Sequence, residues 1–131
     1  ASIDARLWRK LAINCAINPL CVLYNCRNGG LMEHLGELGN LCDELASLLE
    51  QCTVSDAATG LFAQVQQVIQ ATANNKCSML QDVQRQQRTE ISYLLGYACT
   101  QARQRGLHVP LLSALQQRLQ DHLQALGLPA D

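Results

Sequence analysis

The spacing of apolar residues constrains the fold of this chain more than any other feature of its sequence. Between residues 31 and 52 apolar side chains recur alternately four and three residues apart, at Leu31, Leu35, Leu38, Cys42, Leu45, Leu49 and Cys52. This interval keeps successive side chains on one face of an α-helix, whereas a half-buried strand needs alternation at every second residue. No segment of the sequence shows that alternation. The sequence therefore predicts an all-α fold, a helical bundle.

Other segments repeat the helical spacing, and turn-forming residues separate them. The predicted apolar faces of the later helices are Leu61, Val65, Val68, Ile69 and Thr72; Ile91, Leu94, Leu95, Ala98 and Ala102; and Leu112, Leu115, Leu119, Leu123 and Leu126. A short helix is predicted over 78–87, Thr89 is expected to open the next one, and Gly106 and Gly127 are expected to end the last two. The 131 residues are expected to form one domain over 1–131.

The charge balance excludes two classes of partner. Ten basic and 11 acidic residues give a formal net charge of −1. A chain without a basic surface cannot displace counterions from nucleic acid phosphates, nor bind an anionic membrane surface strongly. The apolar runs are too short to span a bilayer, and charged residues among the first ten argue against a signal peptide.

The cysteines predict free thiols rather than a disulfide framework. Seven are present, an odd number, and none forms a CxxC motif. The three histidines, His34, His108 and His122, have no spacing typical of zinc ligands. We therefore expect reduced core thiols, a cytoplasmic location and no metal site.

Three polar residues of the first helix, Lys10, Asn14 and Asn18, lie four positions apart in an otherwise apolar segment. On a helix they form one polar line, named here the Lys10 line. A helix with apolar residues on its other faces is expected to be buried, where an unpaired polar group is costly. A single Asn can bond to a neighbouring loop, and Lys10 can be a solvated surface residue. Three aligned groups, one of them cationic, favour a ligand that carries oxygen atoms.

Three further polar elements accompany this line. Asn28 lies in the turn 25–30, Asn75 and Ser78 lie at the start of the short helix, and Glu90 follows Thr89 in a first helical turn. Each has an ordinary alternative: a turn residue, an N-cap serine, or an acid that complements the helix dipole. Together the amides, a hydroxyl, one lysine and one glutamate suit the reduction of a keto acid.

A dinucleotide-binding module is missing from this sequence. No GxGxxG can be drawn through its eight glycines, and without strands there is no βαβ unit to hold a dinucleotide. A chain with substrate-type groups but no cofactor module resembles one half of an enzyme.

Several segments resemble the C-terminal domain of the ketopantoate reductase (2-dehydropantoate 2-reductase) family. The matching segments, in chain order, are Trp8–Asn14, Asn18–Leu20, Asn25–Gly29, Ser78–Asp82, Thr89–Ile91, Gly96–Tyr97 and Gly106–Pro110. The resemblance implies a helical domain similar to the C-terminal domain of 6-phosphogluconate dehydrogenase. It also implies a separate N-terminal Rossmann domain that binds most of the NADPH, which is absent here, so we expect a fragment that is inactive alone.

The same resemblance implies roles for individual residues. Lys10 is the expected general acid, with Glu90 as a second catalytic group that also contacts substrate or cofactor. The expected substrate-binding residues are Asn14, Asn18, Asn28, Asn75 and Ser78. The sequence departs from the family at Gly30, where an acidic residue is common, at Cys21, where Thr is frequent, and at Cys77, where a hydroxyl residue is usual.

Two alternatives stay open at this point. The chain can be a helical interaction module without chemistry, which forms a homodimer through the 31–52 stripe or the final leucine ladder. The intact enzyme can also reduce a related branched 2-keto acid instead of ketopantoate.

Overall fold

The computed structural model describes residues 4–52, 56–90 and 92–130, and it confirms the all-α fold. Within these residues there is no strand. The α-helices are α1 (Ala5–Tyr24), α2 (Leu35–Cys52), α3 (Leu61–Ala71), α4 (Ser78–Gln84), α5 (Tyr97–Gln104) and α6 (Pro110–Ala125). Two 3₁₀ segments, Asn28–His34 and Asp56–Ala58, and a π-helical segment, Ser92–Gly96, connect them. No helix of the described residues has the length and hydropathy to cross a membrane.

Helix α1 is the central element of the bundle. Asp4 caps its start by accepting a hydrogen bond from the Leu7 N–H at 3.0 Å. Asn25 ends it in the left-handed conformation, with φ of 48°. The helix packs against α2, α3, α4 and α6. Its buried residues are Trp8, Ala12, Cys15, Ala16, Ile17, Pro19, Leu20, Cys21 and Val22. Groups on α1 are therefore held in place from several sides.

The apolar stripe at 31–52 belongs to the core. Five of its seven residues, Leu31, Leu38, Cys42, Leu45 and Leu49, are buried, and the other two are half-buried. The ladder of α6 is also internal, since its first four leucines are buried, while Leu126 is 51% exposed. Both predicted dimer seams are thus largely occupied by the chain's own packing, and the homodimer stays a prediction.

Two predicted helices begin differently in the structure. Residues 28–34 form a 3₁₀ segment, in which the N–H groups of Asn28 and Gly29 bond to carbonyls of the loop after α3. The helix expected to open at Thr89 begins instead with the π-helical segment, and α5 follows it. Its expected inward residues Leu95, Ala98 and Ala102 are buried, whereas Ile91 lies outside the described residues.

The predicted helix ends are confirmed at two glycines. Gly106 and Gly127 follow α5 and α6 with φ of 69° and 75°, which L-residues with a Cβ adopt reluctantly. The short helix α4 ends at Gln84, three residues earlier than expected, and Gln86 after it has φ of 57°.

Candidate active site

The Lys10 line lies along one edge of α1 and not in the core. Lys10 is exposed, and Asn14 and Asn18 are half-buried. The prediction that this part of the helix is buried was therefore wrong at Lys10, because the buried residues of α1 occupy its other side. Within the described residues the Lys10 ammonium makes no hydrogen bond or ion pair, so it is available to a ligand.

A surface depression brings Lys10 and Asn14 together. Its volume is about 320 Å³, and it is lined by Arg6, Arg9, Lys10, Ile13, Asn14 and Gln64. Arg9 fixes the side of α1 against α3, because its guanidinium donates to the side chain of Gln64 and to the carbonyls of Ala57 and Thr59. The depression therefore has a rigid wall and a cationic lining, which suits an anionic ligand.

A second polar cluster joins the loop after α1 to the loop after α3, and we name it the amide junction (Asn28, Gly29, Thr72, Ala73, Asn75). The Asn28 N–H donates to the Asn75 carbonyl at 3.0 Å, and its Nδ2 donates to Thr72 Oγ1 at 2.9 Å. The Thr72 hydroxyl in turn donates to the Val68 carbonyl at 2.6 Å. Asn28 is only 7% exposed, so these bonds are made away from water.

Glycine is required at the closest approach of the two loops. The Gly29 N–H donates to the Ala73 carbonyl at 3.0 Å. A Cβ added at Gly29 would lie 2.8 Å from the Cβ of Ala73 and 3.0 Å from its carbonyl oxygen. Contacts this short do not occur in packed proteins, so the junction forms only because residue 29 has no side chain.

The expected substrate residues at the start of α4 are exposed. Asn75 lies in a groove of about 600 Å³ lined by Arg27, Asn74, Lys76, Gln81, Gln84 and Arg85. The alternative in which Ser78 is the N-cap is wrong. Cys77 is the N-cap, and its Sγ accepts a hydrogen bond from the Leu80 N–H at 3.3 Å. The Ser78 side chain therefore does not cap the helix.

Glu90 is exposed and lies just before the π-helical segment, a type of distortion that is frequent at functional sites. Its carbonyl accepts from the Leu94 N–H at 3.1 Å. No ion pair joins Glu90 to Lys10 in the part of the chain that the structure describes. The preceding Thr89 is 4% exposed, and its Oγ1 has no hydrogen-bond partner.

The structure thus brings the predicted residues together in groups. Lys10 and Asn14 share the depression, and Asn28 bonds to Asn75 across the amide junction. The Asn18 carbonyl is 3.9 Å from the Cys77 Sγ, which connects the far end of the Lys10 line to the residue before Ser78. No described contact links Glu90 to these groups.

Sequence reasoning missed the role of Thr72 in the amide junction, and it noted Cys21 and Cys77 only as departures from the family pattern. The hydroxyl of Thr72 serves the amide junction, whereas its spacing had suggested only the apolar side of α3. Cys21 lies 3.5 Å, Sγ to Oδ1, from Asn28. The nearby Cys77 thiol and burial raise the pKa of Cys21, and the nearby Cys21 thiol lowers the pKa of Cys77. All seven cysteines are free in the structure, and four of them, Cys15, Cys21, Cys42 and Cys99, are buried.

Comparison with known proteins identifies clear relatives. The profile of the family described as "Ketopantoate reductase PanE/ApbA C terminal" matches residues 2–123. The chain is 47% identical over 114 residues to the 2-dehydropantoate 2-reductase of Salmonella typhi. This alignment covers 87% of this chain and 38% of that protein. It is 42% identical over 119 residues to the 2-dehydropantoate 2-reductase of Vibrio cholerae. That alignment covers 89% of this chain and 40% of the relative.

A solved structure shows the same helical arrangement. The chain superposes on a probable 2-dehydropantoate 2-reductase from Bacillus subtilis with a TM-score of 0.77 and 29% identity. The match covers 90% of this chain and 39% of that structure. The chain therefore spans about two fifths of the length of the proteins it matches.

Proposed function

The chain belongs to the family of ketopantoate reductase C-terminal domains, and from this premise we propose that it forms the substrate side of an NADPH-dependent 2-dehydropantoate 2-reductase. The proposed reaction reduces the 2-keto group of ketopantoate to pantoate, in the biosynthesis of pantothenate. The observation that carries this proposal is the position of Lys10. Its ammonium is unpaired within the described residues and shares a cationic depression with Asn14.

We further propose that turnover needs groups beyond this chain. The chain matches 38% of the length of the Salmonella typhi relative. The reductase named there is therefore a longer chain, with residues that have no counterpart in this match. In isolation the chain is expected neither to bind NADPH appreciably nor to turn over.

Lys10 has the chemistry of a general acid for this reaction. An ammonium directed at the keto oxygen stabilises the negative charge that develops there as the carbonyl carbon is reduced. The same group then donates a proton to that oxygen, and the product is an alcohol. The position of Lys10 on α1, a helix that packs against four others, supports this role because the backbone that carries it is held in place.

The amides and the hydroxyl are proposed to orient the substrate. Asn14, one turn from Lys10 in the same depression, is suited to bind substrate oxygens beside the ammonium. Asn18, half-buried one turn further along, would orient the same oxygens, whereas the exposed Asn75 and Ser78 would bind the carboxylate and hydroxyl region. Asn28 already bonds to Thr72 and Cys21, so it can act on substrate chiefly by holding Asn75 in position.

NADPH would supply the hydride, and residues outside this chain would bind most of it. Glu90 is the group proposed to contact it here. An exposed carboxylate accepts hydrogen bonds from hydroxyl groups, which both a ribose and the substrate carry, so its chemistry fits either contact. The seven free thiols support a reducing, cytoplasmic location for this enzyme.

The test joins this chain to the N-terminal portion of the Salmonella typhi relative and measures NADPH oxidation with ketopantoate. Removing the Lys10 ammonium by Lys10→Ala is expected to lower kcat by about 10³-fold, as is typical when a general acid that also stabilises charge is lost. Arg105→Ala is the control. It removes an exposed cation after α5 whose guanidinium donates to Gln101, away from the groups proposed to bind substrate, and it is expected to leave kcat within about twofold.

Two results would contradict the proposal. Equal turnover by Lys10→Ala and the unaltered chimera would remove Lys10 from the chemistry. An unaltered chimera that folds and binds NADPH, yet reduces another branched 2-keto acid and not ketopantoate, would reassign the substrate.

A further inference from the structure

Three cations from three elements surround the groove of about 600 Å³ beside Asn75, which we name the cationic groove. Arg27 lies in the turn after α1, Lys76 in the loop after α3, and Arg85 immediately after α4. Among the described residues, no acid lines this groove and no ion pair involves any of the three cations. The groove therefore concentrates positive charge in a chain whose formal net charge is −1.

Two of these cations are held by neutral groups that leave their charge uncompensated. The Arg27 guanidinium donates to the Asn74 carbonyl at 2.7 Å, and the Lys76 ammonium donates to Gln84 Oε1 at 3.0 Å. Lys76 is half-buried, so part of its hydration is lost without an opposite charge in exchange, which is costly. The Arg85 guanidinium is exposed and makes no hydrogen bond within the described residues. An anion in the groove would compensate all three.

The backbone around the cationic groove is fixed by hydrogen bonds. Gln81 Nε2 donates to the Lys76 carbonyl at 2.9 Å, and the Arg85 N–H donates to the Gln81 carbonyl at 3.0 Å. The Asn75 carbonyl is held by the Asn28 N–H in the amide junction. The groove is therefore shaped before a ligand arrives, which lowers the ordering cost of binding.

The lining of the groove indicates the class of ligand. All seven lining residues have polar or charged side chains, so there is no apolar or aromatic side chain for a nucleobase or an acyl chain to pack against. Guanidinium and ammonium groups suit a phosphate, which offers several acceptor oxygens and, as a monoester, about two negative charges. Ketopantoate carries a single carboxylate, and three cations exceed what it needs.

We propose that the cationic groove binds a small organic phosphate that competes with ketopantoate. Asn75 lines the groove and is also proposed to bind substrate, so the two ligands exclude each other there. The phosphates of NADPH share this chemistry, but cofactor and substrate must be bound together for reduction, and a cofactor phosphate at Asn75 would displace the substrate. Phosphate binding follows from the groove alone, whereas the competition rests on the proposed function.

The first test titrates the full chain with inorganic phosphate at constant ionic strength and follows the amide signals by NMR. The expected shifts cluster at residues 74–76 and 81–85. Acetate, a monoanion, should bind at least about tenfold more weakly, because attraction to the cations scales with the charge of the ligand. Shifts outside the groove only, or acetate that binds as tightly as phosphate, would overturn the proposal.

Charge removal then assigns the binding to the groove. Arg85→Gln is expected to raise the dissociation constant of phosphate about tenfold, the loss of roughly one charge-assisted hydrogen bond, and Lys76→Gln should act similarly. Arg105→Gln is the matched control, because Arg105, like Arg85, is the C-cap of a short helix but lies outside the groove. It should leave the constant unchanged, and an equal loss in Arg85→Gln and Arg105→Gln would overturn the proposal.

The chimera with the N-terminal portion of the Salmonella typhi relative tests the competition, again by the NMR signals of the groove. Ketopantoate is expected to displace the phosphate. Displacement by NADPH and not by ketopantoate would assign the groove to the cofactor and overturn the proposal. No phosphate binding in the chimera would also overturn it, because the N-terminal portion would then cover the groove. A chimera without turnover that still binds phosphate in the groove would reject the proposed function and leave the phosphate site standing.

Discussion

The amide junction and the depression around Lys10 are both polar, but they are built in opposite ways. In the junction Asn28 is 7% exposed, and its backbone and side chain bond to groups of a second loop. In the depression Lys10 is exposed and Asn14 half-buried, and neither side chain has a hydrogen-bond partner within the described residues. One region satisfies its polar groups internally, and the other leaves them without partners among the described residues.

This difference separates groups that stabilise the fold from groups that we propose to act on substrate. A buried, hydrogen-bonded amide contributes to stability, because its removal leaves its partners without compensation from water. An exposed ammonium contributes little to the free energy of unfolding, so its removal should change ligand binding or activity rather than stability. The two regions should therefore respond differently to substitution: the junction in unfolding free energy, and the depression in activity.

The largest expected change in stability comes from forcing the loops of the junction apart. Gly29→Ala places a Cβ within 2.8 Å of Ala73, and it is expected to lower the free energy of unfolding by about 3 kcal/mol. Gly36→Ala is the control, because nothing lies within 4 Å of its Cβ, and it should stabilise α2 by about 0.5–1 kcal/mol. Denaturant unfolding followed by circular dichroism measures both. A tolerated Gly29→Ala would contradict the close approach of the two loops.

A smaller change is expected from removing the central amide. Asn28→Ala leaves Thr72 without one partner and Cys21 without an acceptor, and it is expected to lower the free energy of unfolding by about 2 kcal/mol. Asn14→Ala removes the same side chain from the depression and should stay within about 0.5 kcal/mol. The same unfolding measurement compares them. If the two asparagines prove equally important for stability, the contrast between the regions fails.

The smallest change is expected where polar contacts are exposed but paired. Glu37 of α2 accepts a hydrogen bond from the Tyr24 hydroxyl and pairs with Arg118 of α6 at 2.8 Å. Burial alone would raise the pKa of Glu37, but these two hydrogen bonds outweigh it, and the net pKa is lowered from 4.5. Stability from this group is therefore complete above about pH 4.5, and it is lost as the pH falls through the lowered pKa.

Glu37→Gln tests this expectation by urea unfolding at neutral and acidic pH. Near neutrality the variant should lose at most about 1 kcal/mol, because exposed ion pairs contribute little. The difference from the unaltered chain should shrink as the pH falls below about 4.5. A difference that grows on acidification would show that the carboxylate is destabilising in the folded state.

The fold was largely predictable because helical spacing records which side chains are buried. Spacing alone placed the stripe at 31–52 and the leucine ladder of α6 in the core. Five residues of the stripe and four of the ladder are buried. Spacing did not reveal the 3₁₀ segment Asn28–His34 or the π-helical segment Ser92–Gly96. Both depend on hydrogen bonds or packing with distant residues, which the local sequence does not contain.

The candidate site was predictable in its residue types but not in its contacts. The four-residue spacing placed Lys10, Asn14 and Asn18 on one edge of α1, and the structure keeps them there. The local apolar composition also suggested burial, which was wrong for Lys10, because it could not indicate which edge of the helix the other elements leave uncovered. The roles of these residues in substrate binding stay predictions.

Residues a few positions apart are enough to set the helices, their apolar faces, the glycine ends of α5 and α6, and the polar line on the first helix. The packing of distant segments decides that Asn28 meets Thr72, that Gly29 meets Ala73, and that the Cys77 Sγ meets the Asn18 carbonyl. These pairs are separated by more than 40 residues, and they meet only after α3 and α4 have packed against α1.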